Sequence, residues 1–284
     1  MIVDLPHLLN ILDLEELDKS LFRGEIMLPD RPHVFGGQVL GQALVAASRT
    51  VPEERRVHSM HAYFLRPGDH RHPIIYDTEA IRDGGSFTTR RVVAKQHGEA
   101  IFISSMSFKE YEDGFEHQIE MPDVPEPESL EPDRVFWERV APNHHRQNMT
   151  ALDTRSIHRR APDDTALYEP SNGVWFKAEG KLPDETIAHE AVLAFATDMG
   201  LLSTAFRPHP IATFQAKGFQ AASLDHTIWL HQPIKVDEWL YYQMDSTRAA
   251  NATGLCRGSI YTRDGVLVAS TAQEGLMRVR KNKQ

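Results

Sequence analysis

Three polar side chains, Asp198, Ser223 and Gln273, are of residue types that could act together. Their types suggest one chemistry. A carboxylate can take a proton from water while a hydroxyl and a carboxamide orient that water toward an activated carbonyl, which describes hydrolysis by direct water attack without a metal or a cofactor. Asp198 follows Val192, Phe195 and Ala196, which recur at helical spacing. A carboxylate at the end of an apolar helix opposes the helix dipole. If desolvated it is costly as the anion unless donors hold it. Ser223 and Gln273 are such donors. The plainer reading places Asp198 on the exposed side of its helix and makes the other two ordinary strand residues. An internal comparison within the chain weighs against that reading.

The chain repeats itself. Phe22-Arg23-Gly24-Glu25 followed by Leu28-Pro29-Asp30 recurs as Phe176-Lys177-Ala178-Glu179 followed by Leu182-Pro183-Asp184, a constant spacing of 154 residues. Pro67, Tyr76, Arg82 and Arg91 recur as Pro233, Tyr242, Arg248 and Arg257 at a spacing of 166. Gly98, Ile101 and Ser104 then match Gly265, Val268 and Thr271 one residue further along. An ordered series of this kind marks a duplication, with the additional residues of the second copy in a surface connection between Leu201 and Ala222. With the copies superposed, Ser223 falls on Val57, Gln273 on Met106, and Asp198 on Leu44 or Val45 according to the helix register. All three exchanges run from apolar to polar.

Each copy must position these residues with one helix and several strands. Gly36 to Ser48 and Glu185 to Met199 read as buried helices, the second with Asp184 as its N-cap and Gly200 as its stop. The runs Arg90 to Ala94, Ala100 to Phe108, Trp239 to Met244, Leu255 to Tyr261 and Gly265 to Gln273 are rich in β-branched and aromatic residues and read as antiparallel strands. The acidic, proline-dotted stretch Glu116 to Asp133 reads as an exposed connection. The expected organisation is an α+β protein with a first unit over residues 1–115, a linker over 116–165, and a second unit over 166–284 that carries the three polar residues.

Composition narrows the function. The net charge is −9 and the basic residues are scattered, so the footprint of a nucleic-acid binder is missing. No stretch is long and apolar enough to span a membrane. Met1 to Leu17 contains Asp4, Asp13, Glu15 and Glu16, unlike a secretory signal, and Arg278 to Gln284 does not spell the tripeptide that addresses peroxisomes. The single cysteine, Cys256, fits a reducing cytosol, and a cytoplasmic location is expected. Among the 15 histidines, His70, His72, His144 and His145 lack a paired ligand spacing, and no metal is expected. A Gly-x-Ser-x-Gly elbow is absent, which argues against a serine α/β-hydrolase. Gly36-Gly37 fit either close approach of backbone to a substrate or helix entry and tight packing, and are assigned no catalytic role. His58 and His61 flank a strand start, where packing, capping or substrate contact would each explain them.

Four stretches carry a resemblance to a known family: His33-Val34-Phe35-Gly36-Gly37-Gln38-Val39, Val57 through Asp69, Arg82-Asp83-Gly84-Gly85-Ser86-Phe87, and Ala269-Ser270-Thr271-Ala272-Gln273-Glu274-Gly275. Over almost its whole length the chain resembles the acyl-CoA thioesterase II family. The resemblance implies a double hotdog fold, two tandem units in which an antiparallel sheet wraps a long helix. It further implies an acyl-CoA substrate hydrolysed to free acid and CoA, and assembly into a homo-oligomer, a dimer or tetramer. The family's catalytic Asp, its Ser or Thr, and its Gln fall on Asp198, Ser223 and Gln273. Two alternatives stay open. Gly68-Asp69-His70-Arg71-His72-Pro73-Ile74 partly imitates the Asp and His motif of hotdog enoyl-CoA hydratases, although it lies well after the first helix, and a non-catalytic acyl-CoA-binding protein would keep the fold without turnover.

Overall fold

A computed structural model describes residues 3–27, 33–142, 149–214 and 216–280. Leu28-Pro29-Asp30 of the repeat, the pair His144 and His145, and Lys281 to Gln284 of the basic tail lie outside those residues. In the first half α1 (Leu5–Leu12), β1 (Glu15–Asp18) and β2 (Leu21–Gly24) precede the buried helix α2 (Gly36–Ser48), and β3 (Arg56–Phe64), β4 (Ile74–Asp83), β5 (Phe87–Gln96) and β6 (Glu99–Lys109) follow it. A short helix, α3 (Asp133–Val140), lies between the halves. The second half contains β7 (Leu152–Ser156), β8 (Ser171–Ala178), the buried helix α4 (Thr186–Thr197), β9 (Phe219–Ser223), β10 (Asp225–Leu230), β11 (Leu240–Ala250), β12 (Thr253–Thr262) and β13 (Leu267–Val279).

All the strands belong to one sheet of 13, in the order β1-β2-β4-β5-β6-β3-β10-β13-β12-β11-β8-β7, with β9 on β13. The order is a palindrome of the duplication: β2, β4, β5, β6 and β3 correspond to β8, β11, β12, β13 and β10. The halves meet where β3 pairs antiparallel with β10, and there His61 faces Thr227, its own counterpart at the spacing of 166. The edges of β3 and β10 are in this way satisfied by each other within the chain.

Alternation along the strands explains which face is buried. In β5, Thr88, Arg90, Val92, Ala94 and Gln96 point inward, while Phe87 and Arg91 are exposed. The inward faces close over α2 and α4, whose runs Gly37 to Ala47 and His189 to Thr197 are buried throughout. The two helices approach closely because one of them has no side chain at the crossing. A Cβ on Gly37 would stand 2.3 Å from the Phe195 carbonyl oxygen, and one on Gly41 would stand 2.9 Å from that of Ala191. This contact resolves the helix register. Adding 154 to Gly37 and Gly41 gives Ala191 and Phe195, so the two contacts exchange with each other under the repeat. Leu44, rather than Val45, is therefore the counterpart of Asp198.

Two details depart from the sequence reading. α4 begins at Thr186, with Glu185 rather than Asp184 in the cap position and no side-chain cap bond, because the chain stays extended through Glu185 before it turns. The acidic connection is exposed along most of its length, yet Met121, Val124 and Leu130 pack onto the outward-facing Trp175, Tyr241 and Tyr261. Trp175 Nε1 donates to the Pro125 carbonyl at 2.9 Å, and Arg263 pairs with Glu126 and Glu128. The connection is thus a strap over the second half of the sheet.

Gly41→Val places a branched side chain against the Ala191 carbonyl and Leu12. It is expected to lower unfolding free energy by about 1–3 kcal/mol in chemical denaturation, and an unchanged midpoint would show that the helices can separate without cost.

Candidate active site

Asp198 is the residue that ends α4, with αR backbone angles, and Gly200 follows at φ +94, a conformation that stops the helix at little cost to a glycine. Ser223 is the last residue of β9, where the strand breaks before β10 resumes at Asp225. The first copy has a milder irregularity at the same place, a register shift between Val57 and Ser59 in β3. Bulges of this kind re-aim side chains, and here the break turns Ser223 toward Asp198. Gln273 projects inward from the middle of β13.

The structure brings all three together. Gln273 is fully buried and spends both amide protons locally, donating from Nε2 to Asp198 Oδ1 at 2.9 Å and to Ser223 Oγ at 2.7 Å. The Ser223 hydroxyl donates to the same Oδ1 at a longer 3.4 Å. The Gly37 backbone N–H, in the first turn of α2, gives the carboxylate a further hydrogen bond. Burial outweighs these donors and pushes the Asp198 pKa up to about 6. Glycine at position 36 is required by the same geometry, since a Cβ there would lie 2.7 Å from Asp198 Oδ2. The sequence reading assigned Gly36-Gly37 no catalytic role and left packing and close backbone approach as alternatives. Packing is one part, and backbone contact with the carboxylate is the other.

Behind Asp198 lies a second buried network that sequence reasoning missed. The Thr197 hydroxyl donates to the Ala194 carbonyl at 2.8 Å, so it accepts from Nε2 of the fully buried His226 at 3.0 Å. His226 is neutral, its pKa lowered to about 3 by burial, and its Nδ1 is unpaired. Tyr242 donates to the Thr197 carbonyl at 3.2 Å and shares a 2.7 Å hydrogen bond with Thr271. Tyr242 and Thr271 had been visible only as matches in the repeat.

Asp198 and Ser223 open onto a cavity of about 1220 Å³ that also reaches Gly36, whereas Gln273 sits behind its wall. Near the site the lining is apolar, including Phe35, Val39, Phe64 and Phe102. A buried acid with a pKa near 6, held by donors on one oxygen and facing an apolar cavity, can act as a general base near neutral pH. Asp69, in the β3–β4 connection, does not line this cavity. Its carboxylate accepts from Arg71 and contacts Nδ1 of His72 in the same connection at 2.9 Å and Nε2 of His97, in the turn of the β5–β6 hairpin, at 3.1 Å. Asp69, His72 and His97 place one potential ligand atom each within 4.8 Å, although both histidines are exposed. The hairpin, not sequence spacing, creates that cluster.

A sheet wrapped twice around paired central helices, with a carboxylate at one helix terminus, defines a double hotdog protein. A family model described as acyl-CoA thioesterase matches residues 145–276, and one described as the acyl-CoA thioesterase N-terminal domain matches residues 27–109. The chain is 38% identical to acyl-CoA thioesterase 2 of Haemophilus influenzae over 96% of its own length and 98% of that protein. It is likewise 38% identical to mouse acyl-coenzyme A thioesterase 8, over 95% of this chain and 88% of that one. The crystal structure of an acyl-CoA thioesterase II from Mycobacterium marinum superposes with a TM-score of 0.80 at 38% identity, covering 96% of this chain and 99% of that one. The chain belongs to the acyl-CoA thioesterase II family.

Ionised Asp198 is disfavoured in the folded protein, so between the ordinary carboxylate value and about 6 the folded state holds more protons than the unfolded chain. Stability is lost as pH rises through that window. Asp198→Asn removes the ionisation and is expected to be more stable than wild type above pH 6 by up to about 3 kcal/mol, from a shift of about two pH units at 1.4 kcal/mol each. The gain should vanish near pH 4. Thermal melts of both proteins at pH 4 and pH 7.5 check this, and a gain of equal size at both pH values would rule out desolvation of the carboxylate as its source.

Proposed function

We propose that the protein hydrolyses fatty acyl-CoA to free fatty acid and CoA, with Asp198 taking a proton from a water that attacks the thioester carbonyl directly. The observation that carries this reading is a carboxylate with a pKa near 6 on the wall of an apolar cavity, held on one oxygen by Ser223 and Gln273. A thioester carbonyl is already electrophilic, so a positioned base and water suffice without a covalent enzyme intermediate. Ser223 shares the cavity wall and orients the water. Gln273, buried behind them, fixes both and is a positioning residue. The names of the relatives point to the same reaction.

The hydratase reading loses its support in the geometry. Asp69 is occupied by Arg71, His72 and His97 and does not line the cavity, although Leu65 to Gly68 just before it do, and no role for it at the thioester follows. The cytoplasmic homo-oligomer expected from sequence belongs to the same proposal, supported by the buried thiol of Cys256 and the unpaired outer edge of the fully exposed strand β1.

Thiol release from an acyl-CoA chain-length series is expected for wild type, with kcat falling about 10²–10⁴-fold in Asp198→Asn. Wild-type turnover in that variant, or appreciable hydration of crotonyl-CoA, would overturn the reading. Because the base must be ionised, kcat/KM is expected to rise with pH and level off above about 6. A profile flat from pH 5 to pH 8 would exclude Asp198 as the base.

A further inference from the structure

The cavity wall is not apolar throughout. Besides its aromatic and aliphatic residues it carries Arg66, Arg134, Arg159, Arg160 and Arg207, the last three on the loop after β7 and the turn beyond α4. The three guanidinium groups are balanced very differently. Arg159 has carboxylate partners, Asp133 at 3.0 Å and Glu131 at 3.2 Å. Arg160 and Arg207 have no carboxylate within 4.0 Å among the described residues. Arg160 is a staple: Nε, Nη1 and Nη2 all donate to backbone carbonyls, those of Asp164, Phe206, Ile211, Ala166 and His209. Arg207 is 7% exposed and donates only Nε to the Glu169 carbonyl and Nη1 to the His158 carbonyl. Its Nη2 makes no hydrogen bond among the described residues, and it is not buried out of reach, since it is absent from the sealed, unpartnered atoms that include Arg159 Nη2.

Both cations stand over the ring of Tyr168, Arg160 at 5.5 Å and Arg207 at 5.1 Å from its centroid. Two guanidinium groups gathered around one ring, one of them well buried, repel each other. Burial first, then the neighbouring Arg160, lower the Arg207 pKa, and the opposing pull of Tyr168 and Asp164 does not offset them. The two cations share one carboxylate, Asp164, which lies beyond ion-pair distance of either and is hydrogen-bonded to the Tyr168 hydroxyl and the Ala166 N–H; neutral carbonyls compensate the remaining charge only in part. A bound anion would supply what is missing, and a guanidinium with a free Nη2 is suited to a planar carboxylate or a phosphate.

We infer that this part of the cavity wall is an anion subsite, centred on Arg207 and supported by Arg160, that seats a negatively charged end of the acyl-CoA substrate. The inference rests on the acyl-CoA reading of the same cavity. An acyl-CoA offers such a group from two sources: the phosphates of the nucleotide, or a terminal carboxylate on the acyl chain. The shared chemistry is one anion other than the reacting group, and Arg207 is a specificity-determining residue that acts on binding.

Two substrate pairs separate the sources: an acyl-CoA against the corresponding acyl-pantetheine, and an ω-carboxyacyl-CoA against the monocarboxylic acyl-CoA of equal length. In wild type, one pair is expected to show at least a tenfold preference for the anionic member, expressed in KM. That ratio is expected to collapse to within about twofold in Arg207→Gln and to return in part in Arg207→Lys. A guanidinium that only stapled loops would change both members of each pair alike, so ratios unchanged from wild type in a folded Arg207→Gln would overturn the inference. Should that variant not fold, competition on wild type decides. Adenosine 3′,5′-bisphosphate or a medium-chain dicarboxylate should raise the KM for acyl-CoA at millimolar concentration, and failure of both would sink the subsite. Wild type that hydrolyses acyl-CoA with no preference in either pair refutes the subsite and leaves the thioesterase reading standing. Wild type that releases no thiol from any substrate refutes that reading itself.

Discussion

The close crossing of α2 and α4 is the contact on which the rest of the molecule depends. With no side chain at Gly37 or Gly41, the two helices lie nearly backbone to backbone, and one sheet can wrap both. The same proximity brings the first turn of α2 against the last residue of the α4 end, where the Gly37 N–H meets Asp198. The carboxylate thus opposes the dipole of its own helix and is relieved by the N-terminus of the other. A bulkier residue at Gly37 would not merely loosen the core; it would remove the arrangement that makes burying an ionisable group tolerable.

Duplication makes the cost of that arrangement visible. The pseudo-equivalent corner of the molecule, where the C-terminal end of α2 meets the first turns of α4, has Leu44, Val57 and Met106, all nearly inaccessible, in place of Asp198, Ser223 and Gln273. The position matching Gly36 there is Glu190, 7% exposed, its pKa pushed up to about 7 by burial with Arg56 drawing it down. One corner is an open cavity with a tuned acid, and the other is filled by side chains. Identical scaffolds with opposite contents show that the fold alone does not specify a site.

Much of this was legible in the sequence because duplication left two copies to compare. The helices, the strands, the three polar exchanges and their convergence followed from spacing and from a resemblance carried by short motifs. What stayed hidden depends on geometry that spacing does not encode. The register of Asp198 against Leu44 or Val45 is decided by where the helices cross. The role of Gly37 is a backbone donor, invisible in a list of side chains. His226 reads as one strand histidine among many until burial removes its charge. Met121, Val124 and Leu130 have no strand or helix period, so nothing local marks them as the anchors of a strap.

The central pairing of β3 with β10 joins residues about 166 positions apart, and the helix crossing joins residues nearly as distant. Contacts of such separation form only after much of the chain is available, and they slow folding. During synthesis, the first half emerges with the edge of β3 unpaired and one face of α2 uncovered until α4 and β10 arrive more than a hundred residues later. Nascent chains in that interval expose a sheet edge and an apolar helix face, the surfaces that chaperones guard against aggregation. The symmetry that gives the finished protein its single seamless sheet therefore leaves the half-made protein without its partner.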